Sequence, residues 1–202
     1  MNFSASDLCK RSCAQILYFM RSGNKPAVTE RMVSGCDYQA NVYDDIIQSG
    51  ETAADEMQGV YRCGEDNIYF CIDIVKPNAF IEVKSVFGDY ESWYFESSLL
   101  QCAVYKSLLM HMEGNTLKTA RFRLNEGAEE QTLTVDVTQP YYLKFGNVGT
   151  FEVKVKNSEE ILNFLKKKIE ALTDYTSARS FDEQWKHKEF SLLRKYFEYS
   201  KI

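Results

Sequence analysis

The spacing of apolar residues changes several times along the chain, and each change marks an element. Ser4-Ala5-Ser6-Asp7 offers helix caps, and the apolar positions Leu8, Cys9, Ala14, Ile16, Leu17, Phe19 and Met20 continue the pattern. A first helix is therefore predicted to about Arg21, ended by Ser22-Gly23-Asn24-Lys25-Pro26. A second helical stretch is predicted from about Ser34 to Gln58, with Ser49-Gly50 as a candidate interruption. Shorter apolar runs follow. Val60 to Arg62 and Asn67 to Val75 read as strands separated by Gly64-Glu65-Asp66-Asn67, and Ala79 to Val86 reads as a third. A helix from about Ser92 to Glu113 comes next, then strands over Leu117 to Leu124, Gln131 to Val137 and Phe151 to Val155. Ser158-Glu159-Glu160 opens an amphipathic helix that carries Ile161, Leu162, Phe164, Leu165 and Ile169 to Leu172 on one side. A last helix is predicted from Ser180 to Tyr199, with Phe181, Trp185, Phe190, Leu193, Tyr196 and Phe197. Helices and strands interleave, so the fold class is α/β. No internal repeat or low-complexity segment interrupts the order.

Composition narrows this picture. A chain of 202 residues that is 45% hydrophobic and 14% aromatic fits one medium domain with a sizeable core. A net charge of -5 and a pI near 5.2 argue against a generally basic nucleic-acid coat protein. They leave room for a local basic patch, and basic residues cluster late, in Lys166-Lys167-Lys168 and Lys186-His187-Lys188. Cys9, Cys13, Cys36, Cys63, Cys71 and Cys102 form no CxxC pair, and His111 and His187 are far apart, which argues against zinc. Met1 to Lys10 lacks the order of a secretory signal, and no apolar run is long enough to span a membrane. Reduced thiols in a cytoplasmic protein are expected.

The candidate chemistry lies in Asp73-Ile74-Val75-Lys76-Pro77-Asn78-Ala79-Phe80-Ile81-Glu82-Val83-Lys84. Pro77-Asn78 is a turn signal, so the flanking runs read as a hairpin. Side chains on a strand alternate between faces, which puts Glu82 and Lys84 on one face, within reach of Asp73 on the neighbouring strand. Two carboxylates and a backbone carbonyl such as that of Val83 suit magnesium, which prefers oxygen ligands and keeps several waters. A nearby ammonium can steady a hydroxide and a transition state. A surface strand with alternating charges would show the same triplet. Downstream, Gln101 and Tyr105 lie four apart and share a helix face. An ordinary polar stripe on a half-buried helix would do the same.

Four segments in this order resemble the PD-(D/E)xK nuclease superfamily, in its RecB-like branch of phage recombination exonucleases and CRISPR adaptation nucleases. They are Phe3-Ser4-Ala5-Ser6 through Cys13 and Tyr18, Gly35-Cys36-Asp37-Tyr38-Gln39, Asp73 with Glu82-Val83-Lys84, and Gln101-Cys102-Ala103-Val104-Tyr105. The resemblance covers roughly residues 3 to 170. It implies a restriction-endonuclease-like mixed β-sheet flanked by α-helices. It also implies a single nuclease domain over residues 1–202, with 173–202 as a C-terminal helical extension. The implied activity is metal-dependent hydrolysis of DNA, by an exonuclease of recombination, repair or phage DNA processing. Asp73, Glu82 and the Val83 carbonyl would hold Mg²⁺ or Mn²⁺, with Gln39 as an auxiliary ligand. Lys84 would orient the attacking water, and Gln101 and Tyr105 would support Lys84 or the phosphate. The implied partners are DNA and either further copies of the chain or a small recombination or replication protein, in a bacterial or phage-infected cytoplasm.

Two departures qualify the resemblance. Gln39 stands where the family carries His or Glu, so that position contributes an amide oxygen without charge. The CRISPR nucleases hold an iron–sulfur cluster on one early and three late cysteines, and no cysteine follows Cys102, so no cluster is expected and Cys13 reads as a small buried hydrophobe. A nuclease-fold module that binds DNA or protein without cutting is the alternative reading. In the tail, Trp185-Lys186-His187-Lys188-Glu189-Phe190 suits either a DNA-facing helix or one packed by its aromatics with solvated lysines outside.

Overall fold

The computed structural model describes residues 1–23, 28–86, 88–112, 119–126, 129–185 and 188–202, with backbone alone for 119–134. The expected helix break at Asn24 to Pro26, the helix end at Glu113, the strand start at Leu117 and the Lys186–His187 pair lie outside the described residues. The chain is a mixed β-sheet flanked by helices, as the interleaved pattern predicts. Its strands are β1 (Asn2–Ser4), β2 (Ala54–Cys63), β3 (Asp66–Lys76), β4 (Ala79–Lys84), β5 (Thr119–Glu126), β6 (Glu129–Asp136), β7 (Tyr141–Phe145), β8 (Gly149–Val155) and β9 (Phe197–Lys201). Its helices are α1 (Ala5–Lys10), α2 (Cys13–Ser22), α3 (Glu30–Gln48), α4 (Ser92–Met110), α5 (Ser158–Glu170), α6 (Tyr175–Trp185) and α7 (Glu189–Leu193).

The sheet order is β6-β5-β2-β3-β4-β7-β8-β9, and β1 pairs with β3 beside this path. The β1–β3 and β4–β7 pairs are parallel and the other pairs antiparallel. The parallel β4–β7 step needs a long crossover, and α4 supplies it. Residues Ser98 to Leu109 of α4 are all buried, between the sheet and helices α1, α5 and α7. A helix apolar on every side belongs in such a place. Ser98, Gln101 and Ser107 are buried polar residues in this stretch, and its one charged residue, Lys106, donates to the carbonyls of Val137 and Gln139 and lies over the Phe80 ring. No described helix is long and apolar enough to cross a membrane.

Four expectations are corrected. The predicted helix over Ser34 to Gln58 ends at Gln48, because Gly50 adopts a φ of 81°, and Ala54–Cys63 is a strand. Its inward residues Met57, Gly59, Tyr61 and Cys63 have period two, and the Phe70 ring packs across Gly59. The first helix is two helices, divided where Ser12 caps α2 in a capping box with Gln15. Tyr141–Phe145, unassigned from sequence, is a central strand. The predicted tail helix from Ser180 to Tyr199 is α6, α7, a 3₁₀ turn at Arg194–Tyr196 and strand β9 against β8. Aromatic residues at mixed spacing served helix and strand in turn.

The tail is tied into the fold. The Asp182 carboxylate accepts from the N–H groups of Cys13 (2.8 Å) and Ala14 (3.0 Å), at the positive end of α2. The Lys168 ammonium, 1% exposed, donates to Glu189 at 2.7 Å. Trp185 packs on Phe164 and Phe181, which favours the packed reading of that helix. Cys13 is fully buried, as expected of a small apolar side chain, and desolvation pushes its thiol up to about 12.

Candidate functional site

The β3–β4 hairpin pairs Lys76 with Ala79, Val75 with Phe80 and Ile74 with Ile81. There the two strands part, and β4 turns its pairing to β7 from Phe80 through Lys84. In the fork, the Asp73 carboxylate takes over the role of a backbone acceptor: the Val83 N–H donates to its Oδ2 at 2.7 Å. The cause is a break in strand alternation. Ile72 and Val75, three apart, both join the main core, as do their partners Met57 and Ala54. Strict alternation would put members of each pair on opposite faces. On β2 the break falls at Glu56, whose φ of 51° is the only positive value of a non-glycine among the described residues.

Glu82 and Lys84 share a face, as their spacing predicts. Lys84 Nζ contacts Glu82 Oε1, the Val83 carbonyl at 3.3 Å and Asp73 Oδ2 at 3.8 Å. Glu82 is 1% exposed and lies beneath α4, where Gln101 Nε2 donates to the same Oε1 at 2.6 Å. Its Oε2 and the Gln101 Oε1 are buried with no hydrogen-bond partner. Burial and the Asp73 charge push the Glu82 carboxyl up to about 7, against the pull of Lys84. The Lys84 ammonium, although burial opposes its charge, is raised by Glu82 and Asp73.

The structure thus brings together Asp73, Glu82, Val83, Lys84 and Gln101. Tyr105, one turn beyond Gln101, is buried with its ring against Phe70 at 5.6 Å, and burial and the Glu82 charge raise its phenol. Gln39, on α3, turns its amide to Asp55 at 3.3 Å. Asp55 escaped sequence reading because it fell within a predicted helix. Its signal was the acidic pair Asp55-Glu56 ahead of a period-two run. Lys10 was also missed. At the end of α1, it is a second ammonium that feels these carboxylates: the protein crowded around it and the Lys84 charge lower its pKa, while Glu82 and Asp73 raise it.

No protein-family model matches the chain, and no curated protein matches it. Solved structures do. The chain resembles the crystal structure of SSO0001, with a TM-score of 0.50 and 11% identity, over 86% of this chain and 77% of that one. It also matches LHK-Exo in complex with dAMP, with a TM-score of 0.40 and 13% identity, over 94% of each chain. The first likeness shows a shared fold alone, and the second is too distant to bear on function.

The donor set was compared with the hard divalent cation that the motif resemblance implies. Among the described residues no three His, Cys, Asp or Glu side chains form a ready metal cluster. The fork supplies two carboxylates and a carbonyl, all oxygen. One carboxylate oxygen is orphaned in the interior, and burial with the Asp73 charge raises the Glu82 carboxyl. Oxygen donors with one buried acid oxygen unpartnered fit a hard cation that keeps waters of its own.

Proposed function

We propose that the protein is a metal-dependent nuclease of the PD-(D/E)xK type, which hydrolyses phosphodiester bonds in DNA at the β3–β4 fork. The observation that carries this reading is the buried Glu82 carboxylate, set against Asp73 and Lys84 with one oxygen unpartnered. A structural ion pair has no need of a second acid. Asp73, Glu82 and the Val83 carbonyl would hold Mg²⁺ or Mn²⁺. When bound, such an ion lowers the pKa of coordinated water and neutralises charge on phosphoryl oxygens.

The remaining roles belong to the chain itself. Asp73 is fixed by the Val83 N–H, so its free oxygen has a set direction. Gln101 holds Glu82 Oε1 from above, which leaves Oε2 as the available donor atom. Lys84, kept charged by both acids, is placed to orient a water and to stabilise negative charge that grows on the phosphate. Gln39 acts through Asp55. Exonucleolytic attack on linear DNA is the mode that the sequence motifs favour. The test is release of nucleotides from linear duplex DNA with Mn²⁺ by the wild type, Lys84→Ala and Glu82→Ala. Release by the wild type alone is expected, and equal release by all three overturns the reading.

A second reading, a nuclease-fold module that binds without cutting, is favoured by one observation: Lys84 Nζ itself contacts Glu82 and the Val83 carbonyl. Mn²⁺ titration separates the two. Uptake that depends on Asp73 and Glu82 supports the enzyme, and no uptake supports the module.

A further inference from the structure

We propose that Asp55, held in place by Gln39, is an acid beside the fork that supplies the negative charge which the amide at position 39 lacks, acting on the bound ion from outside its ready ligands. This rests on the nuclease reading and extends its acidic surroundings to strand β2.

The first argument is register. The Cα partner of Asp55 on β3 is Ile74, the residue next to Asp73, so the two acids sit one register step apart across one ladder, and a regular ladder would turn them to opposite faces. The alternation of both strands breaks between them and Met57–Ile72, and Glu56 makes the break on β2. A regular strand would keep Asp55 on the face of Met57. The broken one frees it to turn toward the fork, where Asp55 is half-buried and Glu56 remains outside.

The second argument is the amide. Gln39 lies on α3, which has no buried residue of its own, yet its Nε2 reaches Asp55 Oδ1 at 3.3 Å. A donor on one carboxylate oxygen fixes the carboxylate and leaves the other oxygen open. This is how an outer group orients an acid without binding the ion itself. A glutamate at position 39 would bring a negative charge of its own. Glutamine cannot supply that charge, and it donates to the acid that can.

The third argument concerns unpaired buried atoms. Glu82 Oε2 and Gln101 Oε1 are buried without partners at the same fork, on side chains 1% and 3% exposed. Such atoms call for a proton or a cation. The surrounding charge is also acidic on balance: Cys71, beside Asp73 on β3, feels Asp73, Glu56, Glu82 and Asp55 together. Lys84 is the one cation that contacts Glu82 and Asp73 among the described residues. Adding Asp55 sets three carboxylates against the ammoniums of Lys84 and Lys10. Burial and the Asp73 charge raise Asp55, while the Gln39 bond opposes them, as expected of an acid held near another acid.

The experiment is calorimetric titration of the full chain with Mn²⁺, with circular dichroism to confirm folding, for the wild type, Asp55→Asn, Gln39→Leu and Asp73→Asn. Asp55→Asn keeps the size of the side chain and its acceptor for Gln39. It is expected to weaken Mn²⁺ binding about tenfold or more, Gln39→Leu by up to about tenfold, and Asp73→Asn beyond detection. The Mn²⁺-induced rise in melting temperature should shrink in the same order. Wild-type affinity in Asp55→Asn beside a loss in Asp73→Asn overturns this proposal and leaves the nuclease reading standing. A wild type that takes up no Mn²⁺ overturns both.

Discussion

Two lysines in this fold are buried against a glutamate, and their surroundings differ. Lys168 meets Glu189 at 2.7 Å between α5 and α7, one cation with one anion. Lys84 meets Glu82 and Asp73 together, with Gln101 on the same oxygen and Glu82 Oε2 left without a partner. The first pair joins the C-terminal elements to the body of the protein. At the second, burial and a neighbouring acid push a carboxyl up to about 7, a cost that packing alone does not require. In the proposed nuclease such a mismatch belongs to the site, whereas a balanced pair belongs to the frame.

The comparison can be broken most directly through turnover. Lys84→Met is expected to lower DNA hydrolysis by roughly a thousandfold, the scale of losing one group that stabilises transition-state charge. Lys168→Met should leave hydrolysis within about twofold, and comparable losses at both would erase the distinction. Stability should show the reverse emphasis. Lys168→Met leaves Glu189 unpaired and should cost about 3 kcal/mol in urea unfolding, and the double change with Glu189→Leu should recover most of it.

A pH series sharpens the contrast further. Glu82 has a raised folded pKa, so the unfolded chain ionises first as pH rises, and stability is lost between the ordinary carboxylate range and about pH 7. In a chelating buffer, Glu82→Gln should therefore gain on the wild type over that window, by about 3 kcal/mol at most, and hold the gain above it. A flat difference would show that Lys84 fully compensates the charge. Gln101→Leu removes a donor to Glu82 and should weaken Mn²⁺ binding by about tenfold, with folding changed by about 1 kcal/mol. The smallest effect is expected at the exposed Lys188, where Lys188→Glu should move stability by less than about 0.5 kcal/mol.

The hairpin and its charges were legible because a turn signal, period-two alternation and a Glu-x-Lys spacing all act within a dozen residues. Asp73, Glu82 and Lys84 meet for that reason, and Gln101 joins them from α4 through its bond to Glu82. What failed was non-local. Asp55 was hidden inside a predicted helix, since Ala53-Ala54-Asp55-Glu56 suits a helix by propensity and becomes strand only by pairing with β3. Tyr141–Phe145 carries the bulky residues of a strand, yet its place beside β4 depends on the α4 crossover. The tail read as one helix because its aromatics fit either period, and only pairing with β8 makes Phe197–Lys201 a strand. Tyr105 lay on the predicted face, but its ring packs on Phe70 in the core.

The most direct measurement is the rate of nucleotide release from linear duplex DNA across a Mn²⁺ titration, for the wild type, Lys84→Ala and Lys168→Ala. The account predicts a rate that rises and saturates with Mn²⁺ in the wild type and in Lys168→Ala, and none above background in Lys84→Ala. A wild type without metal-dependent release, or a Lys84→Ala protein as fast as the wild type, would contradict it.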